Sequence, residues 1–254
     1  MNKYLKNLNK IEFVVTNACT GKCKHCSEGD HTGKCQMIDP SVAGETVTKI
    51  CSVYDIKTVM AFGGEPLLHP RAVESIMRAA TELGVPRRQV ITNGYISDDE
   101  DKIRGICRML SECSVNDLLL SVDAFHQETI PIETVRRFAI EAKNLGIPIR
   151  LQPAWLVRSD AENPYNGRTR EVLLSLSDLS IPVGEGNVVF PEGNATKYLS
   201  EYFIDQHPNN PYKGDPFDVR CLSFAENGDV LESNIYKNDV LNIIKGYMPK
   251  KDIL

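Results

Sequence analysis

The sequence predicts an α/β fold in which about six strand–helix units build a partial (β/α)6 barrel. Three observations point there. Strand-like and helix-like segments alternate from residue 11 to residue 190, the loops between them are short, and 254 residues suit one such unit with a short appendage. Parallel strands covered by helices follow from that alternation. Six units, roughly 180 residues, fit a partial barrel better than a closed barrel of eight. A doubly wound open sheet shares the same alternation, because periodicity does not say whether a sheet curls. In both architectures ligands collect at the C-terminal ends of the strands.

Residues 11–18, Ile-Glu-Phe-Val-Val-Thr-Asn-Ala, read as a mostly buried first strand. A first helix starts at Asp39-Pro40, where a capping carboxylate precedes a proline, and it turns Val47, Ile50, Cys51 and Tyr54 to one face. Strand 57–62 precedes helix 71–84, whose Val73, Ile76, Met77, Ala80 and Leu83 point inward. Strand 88–93 precedes helix 99–113, with Ile103, Ile106, Cys107, Leu110 and Cys113 on one stripe. Strand 117–123 leads into helix 132–145, where Val135, Phe138, Ala139, Ala142 and Leu145 share a face; strand 148–156, a helix near 167–179 and a sixth strand near 187–190 follow. Asn227-Gly228 then stands between two strand-like runs in 221–234, a hairpin signal. The expected division is an N-terminal extension over 1–10, the barrel over 11–200, and a C-terminal hairpin and helix over 201–254.

Hydrophobic residues at 42% and charged residues at 25% describe an ordinary globular chain and exclude a disordered or fibrous one. A net charge of −5 gives no overall electrostatic case for gripping nucleic acid. No apolar run approaches the roughly 20 residues of a membrane span, and the N-terminus lacks the continuous apolar segment of a secretory signal. No nucleic acid, no membrane and a cytoplasmic location are therefore expected. Eight cysteines in such a compartment are not a disulfide framework. Cys51, Cys107 and Cys113 fall on apolar helix stripes and read as core residues. Cys35 stands in a loop after the first three cysteines, as a bystander or a reactive thiol.

The chemistry is concentrated in Cys19, Cys23 and Cys26, directly after the first strand. Three thiolates at spacings of four and three reach one iron–sulfur cube and leave its fourth iron without a protein ligand. A zinc site or three structural thiols share that spacing. Polar residues also gather at the later strand ends: Gly63-Gly64-Glu65-Pro66 after the second, Thr92-Asn93-Gly94-Tyr95 after the third, and Ser121 to His126 after the fourth. Ser121 and Asp123 face one side by strand alternation, as do Arg150, Gln152 and Ala154 in the fifth strand.

The three-cysteine loop, with Gly-Gly-Glu-Pro about 40 residues later at the next strand end, resembles the radical S-adenosylmethionine (SAM) superfamily. The resemblance implies a TIM-like partial barrel and one [4Fe–4S] cluster held by Cys19, Cys23 and Cys26, with the bare iron chelating the amino and carboxylate groups of SAM. It further implies reductive cleavage of SAM to a 5′-deoxyadenosyl radical that abstracts hydrogen from a small-molecule or peptide substrate, with a flavodoxin or ferredoxin as reductant. Gly63, Gly64 and Glu65 would meet the SAM ammonium, with Gly64 pressed against the methionine end. Thr92, Asn93, Ser121 and Asp123 would serve its carboxylate and ribose, Gln152 would line the cavity, and His25 would lie against the adenine. His126, Tyr95 and Cys35 are candidates to orient substrate or donate hydrogen. So are Asn163, Tyr165 and Asn166, on a polar loop over 158–167 that reads as a lid.

The segment 221–234 resembles the start of the auxiliary-cluster extensions called SPASM or twitch domains. Cys221 matches their first cysteine, but Ser233 stands where a second is expected. A cluster-free remnant that closes the open edge or the bottom of the barrel is therefore expected. A glycyl-radical activase is a rival within the superfamily, ranked lower because Ser121-Val122-Asp123-Ala124 does not resemble the Asp-x-Lys pattern of activases. A noncatalytic iron–sulfur or zinc scaffold or sensor is the rival outside it, and would bind metal without cleaving SAM.

Overall fold

Alternating burial builds the central sheet. In β1 (Lys10–Val14) Ile11 and Phe13 are fully buried on one face, while Lys10, Glu12 and Val14 take the other. β2 (Thr58–Phe62), β3 (Arg87–Thr92), β4 (Asp117–Ser121) and β5 (Ile149–Gln152) follow in parallel, in the spatial order β5-β4-β3-β2-β1. The computed structural model describes residues 2–204 and 208–250, apart from Thr32 and Lys34.

Four helices return the crossovers and cover the apolar face: α1 (Pro40–Cys51), α2 (Pro70–Glu82), α3 (Glu100–Glu112) and α4 (Ile132–Asn144). α1 and α3 start at capping carboxylates; Asp39 accepts from the Ser41 and Val42 amides, and Asp99 from those of Asp101 and Lys102. Val47, Ile50, Val73, Ile76, Met77, Ile103, Leu110, Val135 and Phe138 are buried as expected. Leu83 is exposed instead, because α2 ends one residue before it.

The strand expected over 148–156 is broken. Pro153 has no N–H for the ladder, so β5 ends at Gln152 and β6 (Ala154–Leu156) continues beyond it. β7 (Asn187–Val189), the expected sixth strand, pairs in parallel with β6 in a separate two-stranded sheet. Val183 bridges Leu151, so this segment still runs beside the fifth strand. Between them α5 (Pro164–Ser175) begins earlier than expected, because Asn163 caps the Asn166 amide and Pro164 opens the first turn. A short α6 (Asn194–Tyr198) follows β7.

The expected C-terminal hairpin takes another form. β8 (Cys221–Phe224) lies parallel to β1 in the main sheet, with Lys10 opposite Cys221 and Phe13 opposite Phe224, and thereby covers the β1 edge. Phe224 stacks on Phe13 at 4.8 Å between centroids, which ties the strand into the core. The Asn227-Gly228 turn is present, but its second arm, β9 (Asp229–Val230), pairs antiparallel with β10 (Ser233–Asn234). α7 (Val240–Gly246) then docks on α1, and its capping Asp239 meets Lys49 at 2.7 Å.

Candidate active site

The cysteine loop leaves β1 and is clamped from two sides. Below it, the amides of Gly64 and Glu65 donate to the Thr16 and Ala18 carbonyls, each at 2.8 Å. Only glycine permits this approach. A β-carbon on Gly64 would stand 2.2 Å from the Ala18 oxygen, and one on Gly63, at φ +134°, 2.6 Å from that of Thr16. Across the loop, the Asn194 amide donates to Cys26 O at 2.8 Å and its side chain to Cys23 O at 3.2 Å. Asn93 reaches Thr20 Oγ1 at 3.1 Å and Cys19 Sγ at 3.6 Å, while the Gly21 amide donates to the same sulfur at 3.4 Å. His31 donates from Nδ1 to Asn17 O at 2.7 Å and so presents Nε2 to Cys26 Sγ at 3.4 Å.

Cys19, Cys23 and Cys26 line one cavity of about 230 Å³ together with Gly63, Gly64, Ser121 and Gln152, at the C-terminal ends of the strands. Burial pushes the Cys19 thiol up to about 11, and pushes Cys23 and Cys26 upward as well. Such thiols give up their protons to a metal rather than to water. Cys35 is exposed and Cys221 sits at the opposite end of the sheet, so these three are the cysteines of the described lining. That lining carries Glu28, Asp123 and three histidines, with no lysine or arginine among its described residues. It therefore suits a sulfonium cation. Gln152 Oε1 and His25 Nδ1 are buried in the same lining without hydrogen-bond partners, as a site awaiting a polar ligand would leave them. The residues present fit both an iron–sulfur cluster and SAM.

Several expected contacts are spent within the protein. Glu65 is fully buried and does not line the cavity; Oε1 accepts from Thr92 Oγ1 at 2.8 Å and the Leu67 amide at 3.0 Å, and Oε2 from the Asn93 amide at 2.7 Å. It buckles the end of β2 to the end of β3, and Thr92 is its partner. Asp123, also fully buried, accepts from the Phe125, His126 and Ala154 amides and from His126 Nδ1 at 2.8 Å, which leaves nothing for a ribose. Burial works against its charge, but His126 holds the carboxyl down at about 2. His126 is correspondingly raised: burial lowers it, and the Asp123 charge and hydrogen bond outweigh that. Gly64 collides with the cysteine loop itself, so a side chain there would displace the loop before it met a ligand.

Tyr95 turns its hydroxyl to Asp98 at 3.5 Å and lies outside the cavity lining, as Cys35 does. The loop over 158–167 is pinned. Asn166, fully buried, accepts from the Leu156 amide and donates to the Leu156, Arg158 and Ala161 carbonyls, so it fastens the loop to β6. Asn163 caps α5, and Tyr165 stacks on Phe125 at 4.6 Å. Ser121 and Gln152 do line the cavity. His25 packs on Phe125 and His126, with centroids 4.8 and 4.9 Å away, and burial lowers it to about 4, so its imidazole is neutral. The sequence reading missed His31, Asn194, Phe190 and Tyr212; of these, only His31 carried a signal, a histidine five residues after the last cysteine.

The family model of the Radical SAM superfamily matches residues 13–150, more than half of the chain. The chain belongs to the radical SAM superfamily. It is thus a radical SAM enzyme, of a family that uses a [4Fe–4S] cluster and SAM. The GTP 3′,8-cyclase of Chlorobaculum tepidum is 25% identical over 219 residues, 82% of this chain and 64% of that protein. A probable GTP 3′,8-cyclase of Saccharolobus islandicus is 25% identical over 219 residues, 80% of this chain and 67% of that one. This radical SAM chain thus spans about two thirds of the length of these relatives. Among solved structures, SuiB of Streptococcus suis bound to the precursor peptide SuiA superposes with a TM-score of 0.57 at 13% identity, over 97% of this chain and 69% of that one. Native anSMEcpe with bound AdoMet gives 0.57 at 14%, over 94% and 80%, and BtrN with AdoMet and 2-DOIA gives 0.51 at 17%, over 94% and 82%. These likenesses establish the fold: a partial barrel whose parallel sheet does not close. No helix among the described residues is long and apolar enough to cross a membrane.

Proposed function

We propose that Cys19, Cys23 and Cys26 hold the cluster, that SAM occupies the cavity beside Ser121 and Gln152, and that the enzyme acts on a neutral or cationic small molecule or peptide. One observation carries this reading: three thiols, Cys23 buried and Cys19 and Cys26 half-buried, share a single cavity at the strand ends, with no other cysteine in its described lining. When bound, the cluster supplies the electron that cleaves SAM and so opens hydrogen abstraction from the substrate. The chain's own part is placement. Gly21 and Asn93 donate hydrogen bonds to the Cys19 sulfur, which favours its thiolate. Asn194 and the Gly63-Gly64 backbone fix the loop that carries all three cysteines. Asp123 sets the His126 tautomer and turns Nε2 toward the cavity, where it can take or give a hydrogen bond to substrate.

The charge of the inner face supports the substrate class. Besides the cavity lining, Lys10 is paired with Glu12 at 2.6 Å, and Arg150 with Asp117 at 3.1 Å. Asp117 also takes Gln89 at 2.6 Å and Arg87 at 3.6 Å. None of these cations lines the cavity, whose described residues include no lysine or arginine, so a triphosphate would find no cationic partner there, whereas an uncharged or cationic molecule meets no repulsion. The test is anaerobic reconstitution, reduction and chromatography for 5′-deoxyadenosine. Wild type should form it, and the Cys19→Ala, Cys23→Ala, Cys26→Ala variant should not. A wild-type chain that holds its cluster and binds SAM yet yields none would leave a scaffold.

A further inference from the structure

We propose that Cys23, His25 and His126 form a zinc site in the chain that carries no cluster. Zinc and cluster exclude each other there because both need Cys23; this exclusion, though not the zinc site itself, rests on the cluster assignment above. The three residues offer one ligand atom each, a sulfur and two ring nitrogens, all within 4.8 Å of one another. Zinc bonds of about 2.0–2.3 Å place tetrahedral ligands about 3.3–3.8 Å apart, so closure asks for about 1 Å of side-chain movement.

Two independent features prepare the nitrogens. His25 Nδ1 is buried with no hydrogen-bond partner, a cost that a metal removes. His126 Nδ1 is tied to Asp123 Oδ2 at 2.8 Å, which leaves Nε2 as the ring nitrogen open to a metal and reproduces the carboxylate–histidine support common behind zinc ligands. One thiolate with two imidazoles selects a borderline-soft cation over magnesium or calcium. Binding displaces to solvent the Cys23 thiol proton and, from the imidazolium form of His126, the Nε2 proton; sulfur–zinc and nitrogen–zinc bonds take their places, and no electron moves. The cavity leaves room for a water as fourth ligand.

The two metal sites differ in every ligand but one. Cys19 and Cys26 belong to the cluster and lie outside the zinc trio, whereas His25 and His126 belong to the trio alone. Zinc on the cluster-free chain would hold Cys23 and arrest assembly until it is displaced, which makes metal supply a control on the enzyme's activation.

The experiment uses the full chain, stripped anaerobically with a chelator and titrated with zinc, and with cobalt as an absorbing substitute. Wild type and Cys19→Ala should each bind one ion per chain with a thiolate-to-cobalt band. His25→Ala and His126→Ala should bind more than about tenfold more weakly, each checked for native circular dichroism. In zinc-free reconstitution the pattern should invert: both histidine variants take up the iron of wild type, and Cys19→Ala does not. Preloaded zinc should suppress iron uptake in wild type and spare His126→Ala. Zinc binding lost in Cys19→Ala but kept in both histidine variants would place the ion on the three thiols and overturn the proposal, as would the absence of binding. Failure of wild type to take up iron without zinc would instead count against the cluster assignment.

Discussion

Glu65 fastens two strand ends with a carboxylate that water never reaches. Burial pushes it from 4.5 up to about 7, against the pull of the Asn93, Thr92 and Leu67 donors. A raised carboxyl favours the protonated folded state, so its contribution is complete below pH 4.5 and is lost as pH rises through about 7, by about 3 kcal/mol at most. Glu65→Gln keeps the shape but turns an amide N–H toward one of those donors. Urea unfolding should therefore find the variant weaker at pH 5 and the gap to wild type smaller at pH 8; a constant gap would contradict the raised value. Gly64→Val should cost the cluster itself, because its β-carbon would stand 2.2 Å from the Ala18 oxygen. Iron per chain should drop together with SAM binding, and a variant with full iron would refute that clash. At this scale the sequence was legible in residue type but not in direction. Gly-Gly-Glu-Pro marked the right strand end, yet only the folded backbone shows Glu65 turned away from the cavity. In the same way, Asp123 had the right chemistry for a ribose, and local amides claimed it first.

β8 is held to the sheet by its ladder to β1 and by one ring pair. Phe224→Ala removes a fully buried ring stacked on Phe13 and should destabilise the chain by about 3–5 kcal/mol in urea unfolding. A loss under 1 kcal/mol would mean that the strand is dispensable. Cys221→Ser should leave iron content unchanged, because that thiol lies opposite Lys10 at the far end of the strands; its iron, measured beside wild type, would show any misjudged ligand. Helices and the first four strands were legible because periodicity and caps are local properties. The partner of β8 was not. Asn-Gly signals a turn, but a parallel pairing with a strand some 200 residues earlier leaves no mark in a short window. Pro153 could have announced the break between β5 and β6, had its missing N–H been weighed against the apolar run around it.

Across the whole molecule, the cations of the inner face are paired away from the cavity, with Lys10 on Glu12 and both Arg87 and Arg150 on Asp117, and the described cavity lining carries no lysine or arginine. GTP added to the reconstituted enzyme should therefore leave the rate of 5′-deoxyadenosine formation unchanged and show no saturable binding by equilibrium dialysis. Micromolar binding would move the enzyme toward its cyclase relatives. The alternation along the chain foretold the architecture, but the curl of the sheet became evident only where Phe62, Ile91, Ser121, Gln152 and Val188 meet around one cavity. The placement of β8 also bears on how the protein is made. During synthesis β1 can pair with β2 once residue 62 has emerged, yet its other edge stays bare until residue 224 follows. At about 5–20 residues per second that interval is roughly ten to thirty seconds. Over that time a strand that carries Ile11 and Phe13 has one unsatisfied edge, the kind of edge that invites pairing with another chain.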